Sequence, residues 1–286
     1  MKNFFYLLLT TLFVWSCQQI PINPIPNTDE NGGEAYDSKK TVVIEQDTAR
    51  NNFLVRGNEP LLANGYSAYN QINEELKNQI DSNFDLKNYL FIDISLISSQ
   101  PNTNTPPNER FILFDELVAF GYPLMDTLNS LNLNPPLGWP PYLGYNLNPK
   151  QAPWNPNSLY GNKIHVNGNL YNGQFVWWPI QACGDTLQDC LDIVENQYGF
   201  TELLDLIHTL MTENANTVIY FHCIHGHDRT SVVNAGYIIR HKGVSFYNAT
   251  HNPAPIGGMK PSKNGYDPLK QPYWNMLYVW NENSIK

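Results

Sequence analysis

The stretch from Gly199 to Lys242 constrains the fold of this chain more than any other part of its sequence. It opens with apolar residues at spacings of three and four, which predict an amphipathic helix; they are Phe200, Leu203, Leu204, Ile207, Leu210 and Met211. Residues 217–221 are β-branched and aromatic, as is typical of a strand. A tight loop covers 222–229, and we predict a second helix over 230–242. Helix, strand, loop and helix in this order predict an α/β fold.

Weaker signals elsewhere agree with that fold class. Helical periodicity predicts a helix over 60–80, and short apolar runs predict strands over 89–97 and 175–180. Much of 98–170 is rich in Pro, Asn and Gly, and we interpret it as a long, loop-rich insertion. We therefore expect a central, mostly parallel sheet flanked by helices, in one domain over 49–286.

The N-terminus has the features of an exported protein. Lys2 precedes an apolar run from Phe4 to Trp15, which is too short to be a good membrane span and is typical of a secretory signal. The tetrapeptide that ends at Cys17 resembles a bacterial lipoprotein processing site, which implies that Cys17 is lipidated. An ordinary signal peptide cut nearby is the alternative. We expect a signal peptide over 1–17, a flexible linker over 18–48, and a periplasmic or cell-surface lipoprotein that reaches the membrane only through its lipid anchor.

The charge of the chain excludes one broad class of partners. Its formal net charge is −9, from 17 Lys and Arg against 26 Asp and Glu. Such a field repels polyanions at long range, so we expect no nucleic-acid partner. An anionic substrate would need a strong local positive site.

Four cysteines are present: Cys17, Cys183, Cys190 and Cys223. Cys183 and Cys190 lie close enough in sequence to close a small loop by a disulfide in an oxidising compartment. Cys223 would then be an odd thiol, which in an exported protein requires an explanation. The alternative is that all three are buried and inert.

The loop after the predicted strand carries a chemical signal. Five residues, among them Gly226, separate Cys223 from Arg229. Such a loop can curl so that its N–H groups form a nest for an anion, to which the N-terminus of the next helix adds further donors. Arg229 can offer a planar fork to two phosphate oxygens. Within that positive field Cys223 becomes a thiolate nucleophile.

The sequence His-Cys, five residues, then Arg-Thr resembles the signature of the protein tyrosine phosphatase superfamily, which includes dual-specificity and lipid phosphatases. The resemblance is strong over 200–242 and fainter over 53–97. Within the fainter part, the segment from Phe53 to Pro60 is similar to a short Arg-containing stretch of the compact family members.

The resemblance implies a role for each residue of the loop. Cys223 would form a phosphocysteine intermediate and Arg229 would bind the phosphoryl oxygens. Thr230 would hydrogen-bond the sulfur, and His222 would order the loop and tune the thiol; the simpler interpretation of Thr230 is a helix cap. The phosphate would be held by Ile224, His225, Gly226, His227, Asp228 and Arg229.

The general acid is open between two residues. In most of the family an Asp follows a Trp-Pro pair, but here Ile180 follows Trp178-Pro179. Asp185 is eligible by its distance in sequence from Cys223 and by its turn-like context. Asp228 is the alternative, because Asp-Arg-Thr resembles the loop ending of myotubularin-like and some bacterial lipid phosphatases.

We therefore expect a cysteine-dependent phosphatase without a metal or other cofactor, because a metal on the loop histidines would block the nucleophile. Its substrate would be a phosphorylated small molecule such as an inositol phosphate, a lipid headgroup or a phosphoprotein. Two alternatives stay open. One is a non-catalytic phosphate-binding lipoprotein, and the other is a rhodanese-like sulfur carrier.

Overall fold

A computed structural model of the chain describes its folded parts. The described residues are 35–97, 112–113, 115–116, 119–120, 163–180, 182–183, 190, 194, 199–254, 257–258, 260–262, 265–267 and 269–284. Among the helices of these ranges, none has both the length and the apolar character needed to cross a bilayer.

The central sheet has six strands in the described part of the chain. They are β1 (Val42–Asp47), β2 (Asn52–Asn58), β3 (Leu90–Ser95), β4 (Lys163–Val166), β5 (Asn169–Trp177) and β6 (Thr217–Cys223). Their order in the sheet is β1-β2-β6-β3-β5-β4. The inner pairs β2–β6, β6–β3 and β3–β5 are parallel, and the edge pairs β1–β2 and β5–β4 are antiparallel. The predicted α/β fold with a mostly parallel sheet is confirmed.

Helices pack on both faces of the sheet, as parallel strands require. The helices are α1 (Tyr69–Gln79), α2 (Phe200–Glu213), α3 (Asp228–Lys242), α4 (Phe246–His251) and α5 (Gln271–Ser284). Short 3-10 turns cover Ser38–Lys40 and Leu86–Asn88, and a separate hairpin joins β7 (Lys260–Ser262) to β8 (Gly265–Asp267). Helical residues also occur between 112 and 119.

The two faces of the sheet have separate cores. One core contains the apolar sides of α2, α3 and α5, packed on inward-facing strand residues such as Ile92, Ile94 and Ile219. The other contains Tyr69 and Ile72 of α1, packed with Phe91 and residues near 113–120. Each of the six apolar residues that predicted the amphipathic helix is buried in α2. Hydrophobic periodicity therefore places α2 correctly on the sheet.

Three predicted boundaries are wrong. The linker predicted over 18–48 includes β1, which pairs with β2 although the second half of the strand is polar. The helix predicted over 60–80 begins only at Tyr69, because 61–67 forms a turn closed by the Leu61–Ser67 bridge. The predicted insertion includes β4 and the start of β5, which join the sheet edge. The signal peptide and the rest of the linker up to residue 34 lie outside the described residues.

Candidate active site

The carboxyl ends of the four parallel strands meet at one edge of the sheet. In register, Asn58 of β2 lies beside Cys223, and His222 lies beside Ser95 of β3. Ser95 in turn lies beside Trp177 of β5. Open α/β sheets bind ligands at such edges. Cys223 therefore lies centrally among the carboxyl ends of the parallel strands, where a ligand would be expected.

The loop that follows Cys223 is shaped by a glycine and by the end of β2. Gly226 has a φ of +63°, in the left-handed region. A Cβ at this position would lie 2.6 Å from the carbonyl oxygen of Gly57, so a side chain does not fit. Beside it, the backbone N–H of Glu59 donates to the carbonyl of Ile224 at 3.2 Å. The loop is thus pressed against the segment that leaves β2.

A buried arginine ties the loop to the helix behind it. Arg56 of β2 has no exposed surface, and its Nη2 donates to the carbonyl oxygen of Gly226 at 2.9 Å and to Oγ of Ser231 at 2.7 Å. Hydrogen bonds from a charged donor are stronger than neutral ones. Arg56 lies within the Arg-containing stretch that the sequence singled out, but sequence reasoning gave it no role in the site.

Cys223 is a buried free thiol with a specific partner. Only about 5% of the residue is exposed, and among the described cysteines it is the one without a disulfide. The hydroxyl of Thr230, in the first turn of α3, donates to its sulfur at 3.2 Å. A hydroxyl that donates to sulfur is a contact able to stabilise negative charge there. The two residues that the sequence paired are brought together by the turn from β6 into α3.

The His222 ring lies close to two buried carboxyl groups. Its Nε2 lies 2.9 Å from Oδ1 of Asp93 in β3 and 3.4 Å from Oε1 of Glu116, and all three side chains are fully buried. Burial alone lowers the pKa of His222, but Asp93 and Glu116 outweigh it, and the net effect raises the pKa above its ordinary value. The imidazole is therefore stabilised in its charged form.

Glu116 also has a raised pKa, which in a carboxyl group favours the neutral form. Burial and the nearby Asp93 raise the pKa of its carboxyl, and His222 only partly offsets them. The nearby Ser95 hydroxyl also acts to lower the pKa of this carboxyl, without reversing the net rise. Sequence reasoning missed both carboxyl groups. The signal that was available is Asp93 itself, a lone charged residue in an apolar strand, since a buried carboxylate requires a partner.

The rim of the loop carries charged and titratable side chains. His225 is exposed and His227 is half-buried, with their ring centroids 6.4 Å apart. Oδ2 of Asp228 lies 3.0 Å from Nζ of Lys270, which precedes α5. Arg229 is half-buried in the first turn of α3. The C-terminal region thus reaches the candidate site through Lys270, which the sequence did not anticipate.

The segment after β5 runs along the same edge. The N–H of Trp178 donates to the carbonyl of Ser95 at 2.8 Å, and that of Ile180 to the carbonyl of Leu96 at 3.3 Å.

A disulfide joins Cys183 and Cys190, with Cα atoms 5.0 Å apart. The pairing that the sequence left open is therefore present in the structure.

The remaining predicted site residues have no described position. Asp185 and Cys17 lie outside the described residues. Within the parts of the chain that the structure describes, no group of three or more His, Cys, Asp or Glu side chains has an arrangement able to hold a metal ion.

Comparisons with known proteins add distant likenesses. No family model matches the chain, and no curated protein matches it. Among solved structures, Tk-PTP in its active form is similar at 10% identity and a TM-score of 0.35, over 86% of this chain and 97% of the other. The protein tyrosine phosphatase TbPTP1 of Trypanosoma brucei is similar at 13% identity and a TM-score of 0.34, over 86% and 74%. Likenesses this distant leave the geometry of the site itself as the guide to its chemistry.

Proposed function

We propose that this protein hydrolyses phosphate monoesters with Cys223 as the nucleophile. The observation that carries the proposal is the contact between the Thr230 hydroxyl and the free sulfur of Cys223, at the carboxyl edge of the parallel sheet. The loop between them ends at a helix N-terminus, which favours anions. A nucleophile, its stabilising donor and an anion site therefore coincide within one short segment.

The reaction has two balanced steps. In the first, the Cys223 thiolate attacks phosphorus, and the ester oxygen leaves with a proton from a carboxylic acid. Arg229 offsets the charge on the non-reacting phosphoryl oxygens. In the second, water attacks the phosphocysteine and gives a proton to the carboxylate left by the first step, while the S–P bond breaks and inorganic phosphate is released. The Thr230 hydroxyl bond stabilises the sulfur as it departs with the electron pair.

Two residues stay in contention as the general acid. Asp228 begins α3, five residues after Cys223, and is the candidate that lies among the described residues. Asp185 is the other. Asp228→Asn and Asp185→Asn, assayed on the same substrate, should differ clearly, because the loss of the acid slows the release of a poor leaving group most. Equal effects would mean that neither residue acts alone.

The rim of the loop supports an anionic substrate. An acidic chain would repel a phosphorylated ligand at long range, but Lys270 is mostly exposed beside Asp228, and His225 is exposed on the loop itself. These groups supply local attraction for an anionic ester. The three proposed classes are a phosphorylated small molecule such as an inositol phosphate, a lipid headgroup and a phosphoprotein.

A second candidate function is phosphate binding without turnover. The observation in its favour is Ile180, which occupies the position after Trp178-Pro179 where an acid would be expected. Calorimetric titration with phosphate or vanadate separates the two functions. Tight binding by a protein that does not release phosphate would support the second candidate and exclude the first.

The direct test is hydrolysis of para-nitrophenyl phosphate by the purified protein. We expect saturable turnover that vanadate inhibits and that Cys223→Ser abolishes. The control is the double variant Cys183→Ala with Cys190→Ala, which removes the disulfide but keeps the nucleophile and should leave measurable turnover. Folded protein without turnover anywhere between about pH 4 and about pH 8 would overturn the proposal.

We also propose that the protein is exported and anchored through lipid on Cys17. The disulfide between Cys183 and Cys190 supports export, because disulfides persist in oxidising compartments and are rare in reducing ones. The apolar run from Phe4 to Trp15 supports a secretory signal.

A further inference from the structure

The buried cluster beneath the loop draws on three separate parts of the fold. His222 lies near the end of β6, Asp93 lies within β3, and Glu116 lies among the helical residues between 112 and 119. None of the three has more than 1% of its surface exposed. Burying ionisable groups is costly unless they satisfy one another, and a hydrophobic cluster of similar volume would stabilise the fold at least as well. Their presence therefore indicates a role beyond stability.

The geometry of the strand connects this cluster to the nucleophile. Adjacent residues of a strand point to opposite faces of the sheet. Cys223 belongs to the core that contains α2 and α3, whereas Tyr220, which points to the same face as His222, belongs to the core that contains α1. The His222 ring also interacts with the backbone of Cys223, an interaction that adds to its raised pKa. The cluster of His222, Asp93 and Glu116 thus contacts the end of β6 on the face of the sheet opposite to the Cys223 sulfur.

We propose that Asp93 and Glu116 are positioning residues that act through His222, fixing its ring and thereby the backbone from which Cys223 presents its sulfur to the loop. The inference rests on the proposed function, because positioning the Cys223 sulfur matters only if that sulfur is the nucleophile. It adds two residues to the site that neither touch the phosphate nor belong to the loop.

The charges around the ring are complementary. The groups that act on His222 or on its partners are Asp93 from β3, Glu116 from the helical residues, Glu59 from the segment after β2, and Tyr220 and Cys223 from β6 itself. A charged imidazole beside Asp93, with Glu116 protonated, leaves the cluster close to neutral. A protonated Glu116 carboxyl adds no second negative charge beside Asp93.

The first test uses alkylation of Cys223 by iodoacetamide, measured as a function of pH by mass spectrometry. It reports the position and thiolate fraction of the sulfur and needs no turnover. Asp93→Asn removes the closest partner of the imidazole, so we expect alkylation at about pH 6 to slow about tenfold, equivalent to a displacement of the alkylation profile by about one pH unit. The control is Asp205→Asn, since Asp205 of α2 pairs with Arg240 and His241 at the end of α3 that lies away from the loop.

The second test uses a pair of substitutions at Glu116, in case Asp93→Asn fails to fold. Glu116→Gln keeps a neutral side chain that can donate a hydrogen bond, whereas Glu116→Leu fills the space without one. We expect the Gln variant to keep the wild-type alkylation profile near pH 6 and the Leu variant to slow alkylation about tenfold. Equal profiles in folded Gln and Leu variants, or an unchanged profile in folded Asp93→Asn, would overturn the inference.

The two proposals fail in different ways. Loss of the proposed function appears as a wild-type protein that is folded and alkylated normally but does not hydrolyse para-nitrophenyl phosphate. Loss of the positioning role appears as variants at Asp93 and Glu116 that keep the wild-type alkylation profile, whatever the turnover. The NMR titration of the His222 ring adds a direct readout, because Asp93→Asn should lower the pKa of that imidazole relative to wild type.

Discussion

At the scale of single residues, the contact between Thr230 and Cys223 has the most direct chemical consequence. A helix cap would require only that the hydroxyl meet the backbone of its own helix, but here it donates to sulfur at 3.2 Å. The hydroxyl therefore has the partner that the proposed role of Thr230 requires, and a helix cap alone does not account for that partner.

Thr230→Ala should slow turnover while leaving substrate binding nearly unchanged. A hydrogen bond to a charged group contributes about 1.5–3 kcal/mol, so kcat should fall by about tenfold to a hundredfold. Thr230→Ser restores the hydroxyl and should recover most of the rate. Thr212→Ala on α2 is the control, since that hydroxyl bonds the backbone of its own helix. Steady-state kinetics on para-nitrophenyl phosphate measure the difference, and a Ser variant as slow as the Ala variant would contradict it.

Arg56→Lys should disturb the loop although it conserves charge. Both hydrogen bonds, to Gly226 and to Ser231, come from Nη2 at the tip of the planar guanidinium, and the shorter lysine side chain does not place its ammonium at that position. We expect vanadate affinity to weaken at least about tenfold, which corresponds to about 1.4 kcal/mol. Arg50→Lys, which alters an exposed pair with Asp47, is the matched control and should bind vanadate normally. Calorimetry decides between these outcomes.

At the scale of elements, the sequence predicts what is long and periodic and misses what is short or polar. The helix α2 and the strand β6 follow from their apolar spacing alone. The edge strand β1 was hidden because Glu45, Gln46 and Asp47 carry no hydrophobic signal, and only pairing with β2 reveals it. The loop from Cys223 to Arg229 is a local feature and was predictable. The partners Asp93 and Glu116 were not, because tertiary packing alone brings them to His222.

The contact between α2 and α3 depends on a glycine. A Cβ on Gly236 would lie 2.8 Å from Cζ of Phe200, so Gly236→Ala forces a core ring to move. Overpacking of this kind costs about 1–3 kcal/mol. The double variant Gly236→Ala with Phe200→Leu should be destabilised by less than the sum of the two single variants, because the shorter side chain relieves the clash. Urea unfolding gives all four free energies, and strict additivity would contradict the contact.

At the scale of the whole molecule, the proposed lipid on Cys17 would hold the protein at a membrane. Cys17→Ala should release the protein from the membrane fraction of a bacterial host and abolish incorporation of labelled palmitate. Cys183→Ala with Cys190→Ala should leave labelling intact, since those cysteines form the internal disulfide. Palmitate that persists on the Cys17→Ala variant would contradict the anchor.

Global stability should fall as pH rises, because the buried cluster binds protons more tightly in the folded state than in the unfolded state. Burial raises the pKa of Glu116 to about 8, and the carboxyl partners raise that of His222. A group with a raised folded pKa stabilises fully below its unfolded pKa, and that contribution is lost as pH climbs through the folded value. The free energy of unfolding should therefore decline from about pH 5 to about pH 9, by about 1.4 kcal/mol per pH unit wherever the folded state holds one more proton than the unfolded state.

Glu116→Gln isolates this effect, since an amide has no proton to lose and should flatten the decline seen in urea unfolding over the same pH range. Asp205→Asn is the control, because the contribution of Asp205 to stability depends on pH in the opposite direction. Arg240 lowers the pKa of Asp205, so its contribution is lost only as the solution becomes acidic, and its removal should leave the slope above about pH 5 unchanged. An equal slope in wild type and Glu116→Gln would mean that Glu116 is already ionised in the folded protein, and that the carboxyl groups and His222 share their charge differently from the proposed arrangement.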